Sequence, residues 1–400
     1  MLSGCPAAEG QSGFPPKTLP GLTGLRGIAA LWVVLYHYTN LYLPALATKA
    51  FGGVIGHGYL AVDLFFILSG FVLAHCYGGR ERRADSVAFV PFMGARFARV
   101  YPLHILVLAL FLALSLAVRA IHYVDDGSFY PLPVTGPRSL SALVANVLML
   151  QGVAAGELSW NYTAWSISLE FAAYLVFPFS IGLLWRASGR VLAAAAAAAL
   201  AAVWTLALVK HGDMNQWDGP FALWRCLPQF VLGCILYRVW RDRLFDSGRL
   251  GTLAAAALVA SLIADAGDAV AITLFPLIVL HAVTSRGWTG RVLNSRPALL
   301  LGEISYSLYL IHGLVQHTTT HVLNWLELDQ TELAVAPSLA IAALMLGTAF
   351  GLSVLSYRWF EQPARRWVQD CVLALRTRRR APQTLADQDF TRKDVASAAG

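Results

Sequence analysis

Charge is what this chain has least of. Only 13% of its 400 residues are Asp, Glu, Lys or Arg, whereas a soluble domain carries about 25%. That shortfall excludes an ordinary soluble globule. Cysteine is sparse as well. Cys5, Cys76, Cys226, Cys234 and Cys371 are scattered along the chain, and their spacing supports neither a disulfide framework nor a zinc cluster. The first 20 residues have no short apolar core followed by a small-residue cleavage site, so no cleavable signal peptide is expected. Internal repeats do not stand out. Alternating segments of about ten residues do not dominate, which counts against a transmembrane β-barrel.

What the chain has instead is apolar length. Hydrophobic residues make up 57% of it, the mean hydropathy is +0.58, and the apolar runs are spread over most of the sequence. This is the pattern of an all-α, polytopic membrane protein. Apolar spans are predicted at 22–43, 58–77, 98–120, 164–185, 190–209, 221–240, 250–266, 269–285, 299–317 and 335–357. A further stretch, 139–152, has 14 residues. At about 1.5 Å per residue it rises about 21 Å, short of a hydrocarbon core of about 30 Å.

The arginines decide how that stretch is counted. With the N-terminus cytoplasmic and 139–152 not spanning, the inner loops collect Arg80, Arg82, Arg83, Arg96 and Arg99, then Arg186 and Arg190. They go on to collect Arg238, Arg241, Arg243 and Arg249, then Arg286, Arg291 and Arg296. The outer loops keep only Lys49, Arg119, Arg138 and Lys210. Counting 139–152 as a span would place most of these arginines outside, against the positive-inside rule. The expectation is therefore about ten spans, both termini cytoplasmic, and a short re-entrant or interfacial helix at 139–152. The formal charge of +7 is explained by this one-sided placement, and no nucleic-acid partner is expected. Three segments follow: a cytoplasmic N-terminal piece at 1–20, a membrane domain at 21–370, and a polar, disordered cytoplasmic tail at 371–400.

Several residues in these spans are not explained by lipid. Arg26 and His37 lie eleven residues apart in the first span. At about 100° per residue that is about 20° past three full turns, so both share a face, about 16 Å apart along the axis. Arg26 reads equally well as an anchor at the inner boundary. An intramembrane His usually faces a cavity or a partner. In "DLFFILSGFV", Asp63 stands near the outer entry, while Ser69 and Gly70 suit a close helix crossing. In "RFARVYP", Arg96 and Arg99 share a face at the start of a span, where two guanidinium forks suit phosphate. Anchoring or lipid headgroups would explain them equally.

"WSISLE" brings Trp165, Ser166, Ser168 and Glu170 to the outer end of the fourth span. Trp165 fits an aromatic belt, but Glu170 needs a partner or water. Arg225 breaks the inside bias and is a candidate partner for Glu170 or Asp63. Ser305, Tyr309 and His312 form one polar face in "SYSLYLIH". His317 and His321 lie one turn apart but lack an evident third ligand, so no metal site is expected.

In order over about residues 20–370, "LRGIAALWVVLYH", "DLFFILSGFV", "RFARVYP", "WSISLE", "SYSLYLIH" and "FEQPARR" resemble the acyltransferase 3 family. These are integral-membrane enzymes that O-acylate bacterial polysaccharides and related acceptors. Departures are conservative: "SGFV" where the family often has "SGFL", and "WSISLE" for a related pattern. No SGNH hydrolase-like domain, present in some members, is recognised. The resemblance implies a multi-pass protein of the bacterial inner membrane. It also implies a cytoplasmic acyl-CoA donor, usually acetyl-CoA, and transfer to a hydroxyl of a lipid-linked or exported glycan.

On that footing Arg96, Arg99 and Arg26 are expected to bind the donor, and His37 to act as general base with Glu170 or Asp63 orienting it. For Arg26, polarising the thioester is the alternative to binding CoA. Trp165, Ser166, Arg225, Tyr309 and His312 are the expected acceptor contacts. An acyl-His37 intermediate stays open, as does the oligomeric state. Two other classes compete. A transporter or flippase would also use intramembrane Arg, Glu and His, although no paired half-sequences are seen. An assembly partner in an envelope complex is the blander alternative.

Overall fold

A computed structural model describes residues 19–47, 49–77, 87–127, 131–133, 135–153, 158–215, 219–244, 248–284 and 287–372. Thirteen α-helices and no strand occur among them: α1 (Pro20–Tyr36), α2 (Lys49–Gly56), α3 (Ala61–Tyr77), α4 (Phe89–Asp126), α5 (Leu140–Val147), α6 (Trp165–Arg186), α7 (Gly189–Val209), α8 (Gly219–Arg241), α9 (Gly248–Ile263), α10 (Asp268–Thr284), α11 (Gly287–Leu293), α12 (Arg296–Trp325) and α13 (Val335–Ser356). The chain is an all-α, polytopic membrane protein. The predicted N-terminal piece and disordered tail fall almost wholly outside the described residues.

Local chemistry places the helix ends. Pro20 and Pro297 occupy first-turn positions that need no amide donor. Ser139, Ser188 and Ser295 cap α5, α7 and α12 by accepting from the backbone of Ala142, Val191 and Ala298. Two helices widen at their ends into π turns. One follows α1 over His37–Tyr42, and the other follows α13 over Tyr357–Glu361. Such widenings recur at functional sites.

Among the described residues, six helical stretches are long and apolar enough to cross a bilayer: Gly58–Tyr77, Phe89–Asp125, Tyr162–Arg186, Gly189–Val209, Arg296–Trp325 and Val335–Val372. They coincide with six of the predicted spans. Another arises if α10 and α11 count as one broken span. α1 and α9 have 17 and 16 residues, which rise about 26 and 24 Å. The full count of ten therefore remains an expectation. α5 has 8 residues and rises about 12 Å, too little to span. Its Leu140, Val144 and Val147 are exposed, as an interfacial helix requires. Cys76 is disulfide-bonded, a bridge that the scattered spacing did not announce, while Cys226, Cys234 and Cys371 form no disulfide.

Two helix pairs form the centre. α1 lies along α12, and α3 along α8. Their backbones approach so closely that a Cβ on Gly27 would run into the backbone of Gly302, and one on Gly70 into the Phe230 carbonyl. Among apolar helices, packing of this kind replaces the hydrophobic effect as the source of association. Arg26 meets Gly302 and His37 meets His312, so α1 and α12 run parallel. By the same test, Asp63 with Arg225 and Gly70 with Cys234 make α3 and α8 parallel. Helices α4, α6, α7 and α13 surround this centre and turn Leu116, Phe179, Leu208 and Leu344 outward, as lipid contact demands. The bundle thus has a basic end, where Arg26, Arg96 and Arg99 lie, and a far end reached by His37, Asp63 and Arg225.

Candidate active site

The basic end holds guanidiniums without carboxylate partners. Arg26, Arg96 and Arg99 are all buried. Among the described residues, no carboxylate lies within ion-pair distance of any of them. Arg26 donates from Nη2 to the Gly302 carbonyl, while its Nε and that of Arg96 have no hydrogen-bond partner. Arg96 rests over the Phe92 ring at 5.8 Å. Arg26 feels the charges of Arg99, Glu361 and Glu170, and Arg365 feels those of Arg99 and Arg96. Glu361 sits on the second π segment and accepts from Ser307 Oγ at 2.6 Å. Buried like charges repel, and unpaired ones are costly. Such a cluster is suited to an anionic ligand.

At the far end of the same helix, His37 stands at the first π turn. Its Nδ1 lies 2.8 Å from the carbonyl of Val33, one turn back. A carbonyl can only accept, so the proton sits on Nδ1 and a neutral ring carries its lone pair on Nε2. The ring is walled by Tyr36, Tyr162 and His312, with centroids at 5.2, 5.4 and 4.9 Å. His312 repeats the device: its Nδ1 lies 3.2 Å from the Leu308 carbonyl, and its buried Nε2 has no partner. Tyr38 donates to the His312 carbonyl at 3.0 Å, and Tyr162 donates to Gln316 Oε1 at 2.6 Å. Two imidazoles and a phenol therefore meet on α1, α12 and the turn before α6.

The carboxylates expected to orient His37 are engaged elsewhere. Glu170 accepts from Ser69 Oγ at 2.5 Å and from the Tyr174 hydroxyl. It stands at mid-depth, close enough to the basic end for its charge to act on Arg26. Asp63, fully buried, takes Arg225 through two bonds of 2.9 and 2.5 Å and accepts from Gln229 Nε2 at 2.6 Å. Arg225 also donates to the Met214 carbonyl at 2.5 Å and lies over the Trp165 ring at 5.6 Å. Asp268 continues the network by accepting from Met214 N at 2.6 Å and from Tyr59 at 2.9 Å. Arg225 thus pairs with Asp63, not with Glu170.

The structure brings the predicted residues together in three groups. Arg26, Arg96 and Arg99 share the basic end. His37 and His312 meet across α1 and α12, where Tyr309 adds a ring contact to His312 at 5.8 Å and a 2.7 Å hydrogen bond to Ser166. Asp63, Arg225 and Trp165 form the third. Sequence reasoning passed over Tyr162, Gln229 and Glu361 as site residues. Gln229 was findable one turn beyond Arg225, and Glu361 lies inside "FEQPARR". Tyr162 offered only its place just before "WSISLE".

A family profile described as an acyltransferase domain matches residues 19–358. The chain is similar to "Acyltransferase MdmB" of Streptomyces mycarofaciens, with 32% identity over 391 residues, covering 88% of this chain and 94% of that protein. It is 25% identical over 395 residues to "O-acetyltransferase OatA" of Staphylococcus aureus, covering 88% of this chain and 58% of that protein. "Protein 2 in picA locus" of Rhizobium radiobacter is 36% identical over 173 residues, 41% of this chain. No solved structure matches the chain.

Proposed function

The chain belongs to the acyltransferase 3 family, and from that premise we propose that it transfers an acyl group from acyl-CoA to a hydroxyl of a lipid-linked or exported glycan, with His37 as the general base. Membership decides between the enzyme and the transport alternative: this is a membrane O-acyltransferase. The donor, the base and the acceptor are our reading, as are the ten spans, the cytoplasmic termini, the limits of the membrane domain and placement in a bacterial inner membrane.

The observation that carries the reading is the hydrogen bond from His37 Nδ1 to Val33. It reserves Nε2 for the acceptor proton. A sugar hydroxyl is a weak nucleophile at neutral pH, so a base at the point of attack is required. His37 Nε2 takes the hydroxyl proton as the oxygen attacks the thioester carbonyl. The C–S bond then breaks, and the departing CoA thiolate takes the proton back from His37. An acyl ester and free CoA result. The unpaired guanidiniums of Arg26, Arg96 and Arg99 suit the donor's phosphates, which Arg binds as a bidentate fork. They supply charge recognition at one depth, and His37 supplies proton transfer at another. Acetyl is the expected group.

The test is transfer of labelled acetyl from acetyl-CoA in correctly inserted protein. His37→Ala should lower the rate about 10²–10⁴-fold, the usual worth of general base catalysis. Arg26→Ala should weaken donor use. Unchanged transfer by the His37 variant would rule this mechanism out.

A further inference from the structure

The reaction described above leaves Arg119 and Arg138 unused. Arg119, in the last third of α4, and Arg138, just before α5, both lie at the far end, against the charge asymmetry of the rest of the chain. They are not scattered. Arg138 Nη2 is 3.3 Å from Nδ1 of His317. The His317 ring stacks on Phe111 at 5.7 Å and meets the edge of His321 at 4.6 Å. Arg119 donates from Nη1 to the carbonyl of Ser115 at 3.1 Å and to its hydroxyl, and its Nε is buried without a partner. The charge of Arg119 acts on Arg138, and that of Arg138 on both imidazoles. The ion pairs seen among the described residues include neither arginine.

The surroundings define the setting. Near the cluster in sequence, Leu116 and Ile121 of α4, Leu140 of α5 and Val322 of α12 are exposed. Exposed apolar side chains beside guanidinium and imidazole donors suit a boundary between lipid and water. Placing two arginines there opposes the positive-inside bias, and they repel each other once in place. An anion confined to the membrane surface resolves both costs, and a phosphate matches the guanidinium fork. The cluster also adjoins the point of transfer. His317 is five residues beyond His312 on α12, about 7.5 Å along the axis. Its neighbour Gln316 is bonded to Tyr162, whose ring lies against His37.

We propose that Arg119, Arg138, His317 and His321 form a binding site for the phosphate of a membrane-embedded lipid, and that this lipid is the carrier of the acyl acceptor. The proposal rests on the reading of His37 as the point of transfer and names the acceptor class: a hydroxyl compound joined to lipid through phosphate. The bulk phospholipid headgroup offers the same chemistry, so the two sources must be separated.

Full-length protein in neutral phosphatidylcholine nanodiscs, titrated with a polyprenyl phosphate, provides the test, with bound lipid read by native mass spectrometry. Arg119→Gln with Arg138→Gln should reduce polyprenyl phosphate retention by about tenfold or more, given two arginines at a membrane surface. Arg119→Lys with Arg138→Lys should retain part of it, which separates lost charge from lost folding, and thermal unfolding of both variants should match the parent. Phosphatidylglycerol should displace polyprenyl phosphate only at large excess. Unchanged retention in the glutamine variant overturns the site, and equal competition by phosphatidylglycerol overturns its assignment to the acceptor's carrier. Binding is read without turnover, so His37→Ala should bind normally whether or not it transfers.

Discussion

Arg225 and Arg99 are both buried guanidiniums in apolar helices, and they are held in opposite ways. Arg225 has a carboxylate in a two-bond grip, a backbone carbonyl and an aromatic face. Arg99 has other arginines and the charge of Glu361 near it, but no carboxylate within pairing distance among the described residues. A buried charge that is fully answered from within the protein ties helices together. One that is left open is suited to a partner from outside, as proposed for the donor's phosphates. The difference separates architecture from recognition on physical grounds, because the cost of burying a charge falls only when a partner arrives.

The largest effect should come from breaking the answered pair. Asp63→Asn leaves Arg225 charged and buried, at a cost of about 3–5 kcal/mol. Thermal unfolding of the purified protein should fall sharply, with activity lost only in proportion to folded protein. The second comparison sharpens the contrast from the other side. Arg96→Gln with Arg99→Gln should leave the unfolding temperature unchanged or raised, since like-charge repulsion is relieved. The donor KM should rise about 10²–10⁴-fold for the pair if each lost charged hydrogen bond is worth about 1.5–3 kcal/mol. A melting loss with an unchanged KM would collapse the distinction. The smallest effect is expected at the neutral bond between Ser166 and Tyr309. Tyr309→Phe should cost about 0.5–1.5 kcal/mol, read as a rise of a few-fold in acceptor KM.

The relation between Arg26 and His37 was legible because helix rise and rotation are fixed by backbone geometry, and both residues do meet the same neighbour, α12. Close packing at Gly70 was legible for a similar reason, as small residues mark helix crossings. The pairing of Arg225 with Asp63 was not. The two stand 162 residues apart, and only the alignment of α3 with α8 chooses Asp63 over Glu170. The idea that a carboxylate orients His37 had no way to anticipate that Val33, one turn back on the same helix, would hold Nδ1. Spans were legible from composition where helices are long, and less so for α1 and α9, whose apolar lengths fall near the limit.

The close crossing of α1 on α12 has a metrical consequence. Both stations of the proposed reaction, the guanidinium of Arg26 and the imidazole of His37, are referenced to this one pair of parallel helices and not to loops. Their separation is a rigid gauge graduated in helix rise, with a step of about 1.5 Å. A donor whose reactive carbon lies farther from its phosphates cannot be served by sliding α1, because Gly27 and Gly302 leave no clearance. Donor length is therefore read against a fixed ruler, and any tolerance for longer acyl chains must be built beyond His37.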